Sequence, residues 1–203
     1  MRQFLAELRP TSDTTILDVG GSPATWRGIG ARPQITVLNT HPIDYTQDPA
    51  DPPMRTVVGD GCRLEFADKS FDIVFSNSVI EHLGTLDNQR RFASECRRVA
   101  DRLWVQTPAR SFFIESHLLT PFVHFLPQGA QRKLIRNFTL WGLLARPTKN
   151  QVDGFLREVR LLDRREMEAQ FPDCQIVAER VMGLTKSYIA VRDSATTQSP
   201  GSR

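Results

Sequence analysis

Short apolar runs rich in β-branched and aromatic residues recur along the chain, and each is closed by glycine, proline or a polar turn. Thr15-Ile-Leu-Asp-Val19 stops at Gly20-Gly21, and Ile35-Thr-Val-Leu38 ends at Asn39. Arg55-Thr-Val-Val58 runs into Gly59-Asp-Gly-Cys62, Phe71-Asp-Ile-Val-Phe75 into Ser76-Asn77, and Leu103-Trp-Val-Gln-Thr107 into Pro108. Runs of this length and composition predict five strands. Gln175-Ile-Val-Ala-Glu179 and Ser187-Tyr-Ile-Ala-Val-Arg192 predict two more near the end.

Between these runs the apolar spacing becomes helical. Arg2 to Arg9 places Phe4, Leu5 and Leu8 on one face, a short helix expected to cover an edge of the sheet. A short helix is also expected after the first glycine turn. Leu86 to Ala100 would bury Phe92, Cys96 and Val99 and turn its arginines outward, and Leu134, Ile135, Phe138 and Trp141 continue the helical period up to Arg146-Pro147. Asp163 followed by Glu166 has the form of a capping box, opening a helix that runs to Phe171. The segment Thr40 to Pro53, with its prolines and aspartates, reads as a loop. Strands alternating with helices or loops argue for a parallel sheet covered on both faces.

One stretch departs from that alternation. Ser111 to Pro127 is aromatic, apolar and interrupted by prolines, which suits a lid or an acceptor pocket. The chain of 203 residues fits one domain, expected over 1–193 with the lid at about 108–160 and a small, polar, disordered tail at 194–203. A net charge of +3, with 26 basic against 23 acidic residues and no basic stripe interleaved with aromatics, argues against nucleic acid as a partner. Three scattered cysteines supply neither a disulfide frame nor a zinc site, and no acids and histidines converge at metal-ligand spacing. With no apolar signal core near Met1 and no run long enough to span a bilayer, a cytoplasmic location is expected.

Candidate chemistry sits at the strand ends. Asp18, at the carboxyl end of a buried strand, either accepts from amides of its own turn or holds a polar ligand in the crevice above the sheet. Asp60 has the same two readings, and Asn39 lies where a ribose binder commonly carries an acid. Cys62 reads as a small buried residue.

Three segments, in order, resemble the class I S-adenosylmethionine-dependent methyltransferases: Leu-Asp-Val-Gly-Gly-Ser-Pro-Ala at 17–24, Gly59-Asp60-Gly61, and Phe71 through Val79-Ile-Glu-His-Leu83. The resemblance implies a Rossmann-like, doubly wound, mostly parallel seven-stranded sheet with its last strand antiparallel, plus a helical apolar lid inserted after strand five. It also implies S-adenosyl-L-methionine as cofactor. Asp18, Gly20, Gly21 and Ser22 would serve the methionine half, Asn39 the ribose, Asp60, Gly61 and Cys62 the adenine, and Ser76 and Asn77 would stand beside the sulfonium. Ser22 and Ala24 occupy positions where the family usually has glycine, and Asn39 replaces the usual acid. No metal ligand is implied.

The carboxyl half, from Thr107-Pro-Ala-Arg110 through the aromatic stretch to Leu161-Leu-Asp-Arg-Arg-Glu166 and Gly183-Leu-Thr-Lys-Ser187, is similar to small bacterial methyltransferases of the type 11-like subgroup associated with polysaccharide and glycolipid assembly. A hydroxyl acceptor must lose a proton, which a histidine can take near neutral pH. His82 and His117 are the candidates, with Glu115 orienting an imidazole or binding the acceptor; His124 is an outside choice. The bland readings are that His82 packs at a helix start and that His117 is structural.

The expected activity is O-methylation of a saccharide, glycolipid or other small hydroxyl compound. The alternatives are N- or carboxyl-methylation of another small molecule or a protein, and a non-catalytic cofactor-binding or partner-binding protein. A nicotinamide enzyme would want Gly-x-Gly-x-x-Gly, whereas Pro23 removes an amide that a pyrophosphate would use. Peripheral contact with a membrane through the apolar lid is a further expectation.

Overall fold

The computed structural model describes residues 1–112, 114–115, 120–121, 129–130, 133–134 and 146–193. Nine strands are assigned among them: β1 (Thr15–Val19), β2 (Gln34–Asn39), β3 (Met54–Val58), β4 (Phe71–Asn77), β5 (Ala100–Pro108), β6 (Ile114–Glu115), β7 (Thr120–Pro121), β8 (Gln175–Val181) and β9 (Leu184–Arg192). The α-helices whose bounds fall among the described residues are α1 (Arg2–Leu8), α2 (Leu86–Val99), α3 (Lys149–Glu158) and α4 (Arg164–Gln170). Seven strands form one sheet in the order β3-β2-β1-β4-β5-β9-β8, while β6 and β7 pair with each other. Strands β1 to β5 are parallel, and β9 is antiparallel to both β5 and β8. The expected Rossmann-like sheet with an antiparallel last strand is thus the observed one. Chain order reverses between β1 and β4, the place where open α/β sheets leave a crevice at their carboxyl ends.

Alternation along the strands sorts the core into two layers. Leu17, Val19, Val74, Leu103 and Val105 pack with Phe92 and Cys96 of α2 and Met167 of α4. Ile16, Ile35, Val37, Ile73 and Phe75 pack on the opposite face with Phe4, Leu8 and Trp26. The starts of α2 and α4 have a sequence cause. Thr85 accepts from the Asn88 amide at the head of α2, and Asp163 and Glu166 close the expected capping box at the head of α4.

Two expectations change. Helix α1 covers the middle of the sheet and not an edge, because the Phe4 ring meets Trp26 (5.8 Å), Phe75 of β4 (5.0 Å) and Trp104 of β5 (5.8 Å) edge-on. Pairs of this kind contribute about 0.5–1.5 kcal/mol each beyond the area they bury. The helix expected after the first glycine turn is a single 3-10 turn, Pro23–Trp26. Gly28 at φ 70° and Pro33 before β2 leave no room for more turns. Phe4 and Trp26 together therefore fill the space that a crossover helix would occupy.

Of the lid expected at about 108–160, the hairpin of β6 and β7 and helix α3 are described, and most of the remainder, including His117, His124 and the helical period through Phe138 and Trp141, lies outside the described residues. The tail expected at 194–203 lies outside them as well.

Candidate functional site

At the switch point, the turns after β1, β2, β3 and β4 enclose a crevice of about 310 Å³ lined by Gly20, Asn39, Gly59, Asp60, Gly61, Ser78, Val79 and His82, among others. Backbone bonds tie its rim together: the Gly20 amide donates to the Leu38 carbonyl at 2.7 Å and the Gly59 amide to the Asn39 carbonyl at 2.9 Å. Space is tight at two glycines of its lining turns. A Cβ on Gly20, whose φ is 76°, would stand 2.7 Å from both methyl carbons of Val79, and one on Gly61 would meet Phe92 and Val19 at 3.0 Å.

Polar side chains on the rim are anchored by backbone groups of the turns. Asp60 Oδ1 accepts from the Cys62 amide at 2.8 Å, an Asx turn that leaves the carboxylate exposed at the crevice. Asn39 Nδ2 donates to the Gly21 carbonyl at 3.2 Å, and Oδ1 accepts from the Thr40 amide at 2.9 Å. The asparagine thereby ties the β2 turn to the glycine loop. A carboxylate could not donate to Gly21, which gives a physical reason for an amide where acids are usual. Burial, reinforced by Asp60, pushes the Cys62 thiol up to about 11, so it is neutral and a poor nucleophile at physiological pH.

Other expected residues stand behind the wall. Asp18 is fully buried on the Trp26 side of the sheet, where Oδ2 accepts from Trp26 Nε1 at 2.7 Å and Oδ1 has no partner among the described residues. Burial raises its carboxyl to about 7, against the opposing pull of the Trp26 bond. Its carboxylate lies directly under the glycine loop, since a Cβ on Gly21 would fall 1.9 Å from Oδ2. Ser22 caps the 3-10 turn, its hydroxyl accepting from the Ala24 amide. Ser76 is buried, and its hydroxyl donates to the Val19 carbonyl at 3.0 Å, pinning β4 to β1.

The Ile-Glu-His-Leu turn divides its polar residues between two tasks. Glu81 is buried and its Oε2 accepts from Thr107 Oγ1 of β5 at 2.9 Å, while exposed His82 lines the crevice. Gln89 of α2 holds the turn from beneath. Its Nε2 donates to the Ile80 carbonyl at 3.0 Å and the Arg160 carbonyl at 2.8 Å, and its Oε1 accepts from Arg160 Nη1 at 2.6 Å. The segment leading from α3 to α4 is thereby fastened to the crevice floor.

A second, larger cavity of about 530 Å³ opens beside the first over the ends of β4, β5 and β9. Phe75, Trp104 and Phe112 supply apolar walls, and Asn77, Gln106, Glu179, Lys186 and Ser187 supply polar ones. Ser187 donates from its hydroxyl to Glu179 Oε2. Ser78 lines both cavities. It adopts φ 57°, unusual for a residue with a side chain, and is locked there by bonds to the Gln106 carbonyl (3.0 Å, from its amide) and to Gln106 Oε1 (3.2 Å).

Gly20, Asn39, Asp60, Gly61 and His82 therefore converge on one crevice; Asn77 lines the neighbouring cavity; Asp18, Gly21, Ser22, Cys62 and Ser76 support the walls. For Glu115 the structure gives only its place in β6. Sequence reasoning passed over Ser78, Gln106, Glu179 and Lys186. Strand pairing brings them together across more than a hundred positions, and only the polar interruptions at strand ends hinted at them. Among the described residues no cluster of His, Cys, Asp and Glu could hold a metal ion.

Residues 33–102 match the family described as methyltransferase domain. Comparison with curated protein sequences gives no match. Among solved structures, the PH0226 protein of Pyrococcus horikoshii OT3 is similar at 14% identity and TM-score 0.58, over 95% of this chain and 86% of that one. A Burkholderia thailandensis 1,6-didemethyltoxoflavin-N1-methyltransferase, solved with 1,6-didemethyltoxoflavin and S-adenosylhomocysteine, is similar at 14% identity and TM-score 0.56, over 94% and 75% of the two chains. A SAM-dependent methyltransferase of Aquifex aeolicus is similar at 12% identity and TM-score 0.51, over 94% and 87%. At such identities the likeness is one of fold.

Proposed function

We propose that the protein is an S-adenosylmethionine-dependent methyltransferase that methylates a hydroxyl oxygen of a saccharide, glycolipid or other small hydroxyl compound. The observation that carries this reading is the meeting of two cavities at Ser78. One is a small crevice with polar side chains on its rim, at the switch point of a fold shared with methyltransferases; the other is a larger aromatic and amide-lined chamber beside it. The crevice, at about 310 Å³, is at the lower end of the range for small-molecule sites, about 300–1,000 Å³.

The residues present fit S-adenosyl-L-methionine. The Gly20 turn offers close backbone approach to the amino-acid part, Asn39 retains an unused amide hydrogen for a ribose hydroxyl, and Asp60 offers its second carboxylate oxygen to an exocyclic amine. When bound, the cofactor supplies a methyl group already activated on a sulfonium. Little covalent chemistry is then asked of the chain, which has to align the acceptor oxygen in line, exclude water and receive a proton.

Ser78 stands between the two chambers and, with Asn77 on the wall of the larger one, orients the acceptor. Trp104 and Phe75 give the chamber an apolar floor, with Gln106 and Gln3 offering amide groups to the acceptor's hydroxyls. For the proton, His82 approaches from the crevice side, Glu179 from the chamber side, and His117 with Glu115 remain candidates from the lid. Incubation of the purified chain with methyl-labelled cofactor and glycan or glycolipid extracts tests the proposal. Label in base-stable methyl ethers supports it; label only in amines or protein overturns the acceptor class.

A further inference from the structure

The β8–β9 hairpin ends in a feature that the fold does not require. Val181 pairs with Leu184 across its end, leaving Met182 and Gly183 as a two-residue turn in which both φ angles are positive, 51° and 83°. Turns of this class favour Asn or Asp before Gly, because a bulky side chain is strained in the left-handed region. Met182 bears that strain and is 97% exposed, flanked by Val181 at 45% and Leu184 at 49%. Both the strain and the exposure act against folding and solubility, and an asparagine would relieve both. A residue that costs the isolated fold twice points to an external contact.

The surroundings select the contact. The tip is convex, so it enters a yielding surface more readily than it receives a partner. Exposed Arg180 and Lys186 stand behind it on the two strands, and the acid that precedes Arg180 in the chain, Glu179, accepts from the Ser187 hydroxyl. With a rise of about 3.3 Å per residue, the tip reaches roughly 7 Å beyond Arg180, within the depth of about 5–10 Å at which interfacial elements seat their apolar faces. We propose that the hairpin tip anchors the protein to an anionic phospholipid surface, with Val181, Met182 and Leu184 in the interfacial layer and Arg180 and Lys186 on the phosphates. Lys186 also lines the larger cavity, which therefore opens close behind the headgroups. Resting on the methyltransferase reading, this makes the acceptor the hydroxyl-bearing headgroup of a membrane-borne amphiphile.

Flotation of the full chain with vesicles tests the anchor without turnover, using phosphatidylcholine alone and phosphatidylcholine mixed equally with phosphatidylglycerol. The wild type is expected to float with the mixed vesicles and not with the neutral ones. Met182→Asn is expected to melt at a higher temperature yet float several-fold less, and Arg180→Gln with Lys186→Gln to bind about thirtyfold more weakly. Absence of wild-type flotation, equal flotation of Met182→Asn, or a dimer that Met182→Asn converts to monomer would each overturn the anchor. Calorimetry with S-adenosylhomocysteine on the same preparations reports separately on the methyltransferase reading, since flotation without cofactor binding would sink that reading and spare the anchor.

Discussion

Trp26 Nε1 donates to Asp18 Oδ2 at 2.7 Å, and among the described residues no other group hydrogen-bonds the buried Asp18 carboxyl. It joins the 3-10 turn to the end of β1, directly under the glycine loop. The loop's position therefore depends on a group whose charge is poorly solvated.

Stability should accordingly fall with rising pH. The unfolded chain loses the Asp18 proton near the ordinary value of 3.8, whereas the native state keeps it to about 7. Between those limits the native state binds the extra proton, so stability declines across the window by up to roughly 1.4 kcal/mol per pH unit and stays at the lower level above it. Asp18→Asn should remove that slope, as read by denaturant titration at a series of pH values. An unchanged slope would assign it to other groups.

Asn39→Asp is expected to weaken cofactor binding, although an acid is the commoner ribose ligand. The substitution loses the bond to the Gly21 carbonyl and sets two oxygens against each other. Calorimetry with S-adenosylhomocysteine should show a several-fold loss, whereas tighter binding would mean that the Asn39 bridge to the loop is dispensable.

Gly20→Ala should damage both binding and folding, because the added carbon would overlap Val79 and the backbone there is left-handed. The double variant Gly20→Ala with Val79→Ala should recover part of the loss, since it removes the overlap and leaves only the backbone strain. Thermal unfolding and cofactor titration read the two effects.

Thr107→Val should cost about 1–3 kcal/mol by withdrawing the hydroxyl that Glu81 accepts in the interior. Thr107→Ser should be much milder. Equilibrium unfolding of the pair separates the hydrogen bond from the packing.

Much of the scaffold was legible because its signals are local. The runs around Leu17, Val37, Val74 and Val105 could hardly be anything but buried strands, the Asp163 and Glu166 pair announced α4, and the spacing of Phe92, Cys96 and Val99 announced α2. The crevice was half legible: Gly20, Asn39, Asp60, Gly61 and His82 converge because turns at the same end of a parallel sheet must. What could not be read was direction and pairing. Whether Asp18 faces the crevice or Trp26, whether Glu81 or His82 turns inward, and that Glu179 and Ser187 join Asn77 and Gln106 depend on register between distant strands. The 3-10 turn in place of a helix, and Phe4 over the sheet centre, follow from space left by a short crossover that no local pattern records.

The central claim, that the crevice at the switch point holds S-adenosylmethionine, is met most directly by calorimetric titration of the full chain with S-adenosylhomocysteine. One binding site per chain is expected, lost in Gly20→Ala and weakened in Asp60→Ala. No heat of binding in a folded sample, or binding that neither substitution alters, would contradict it.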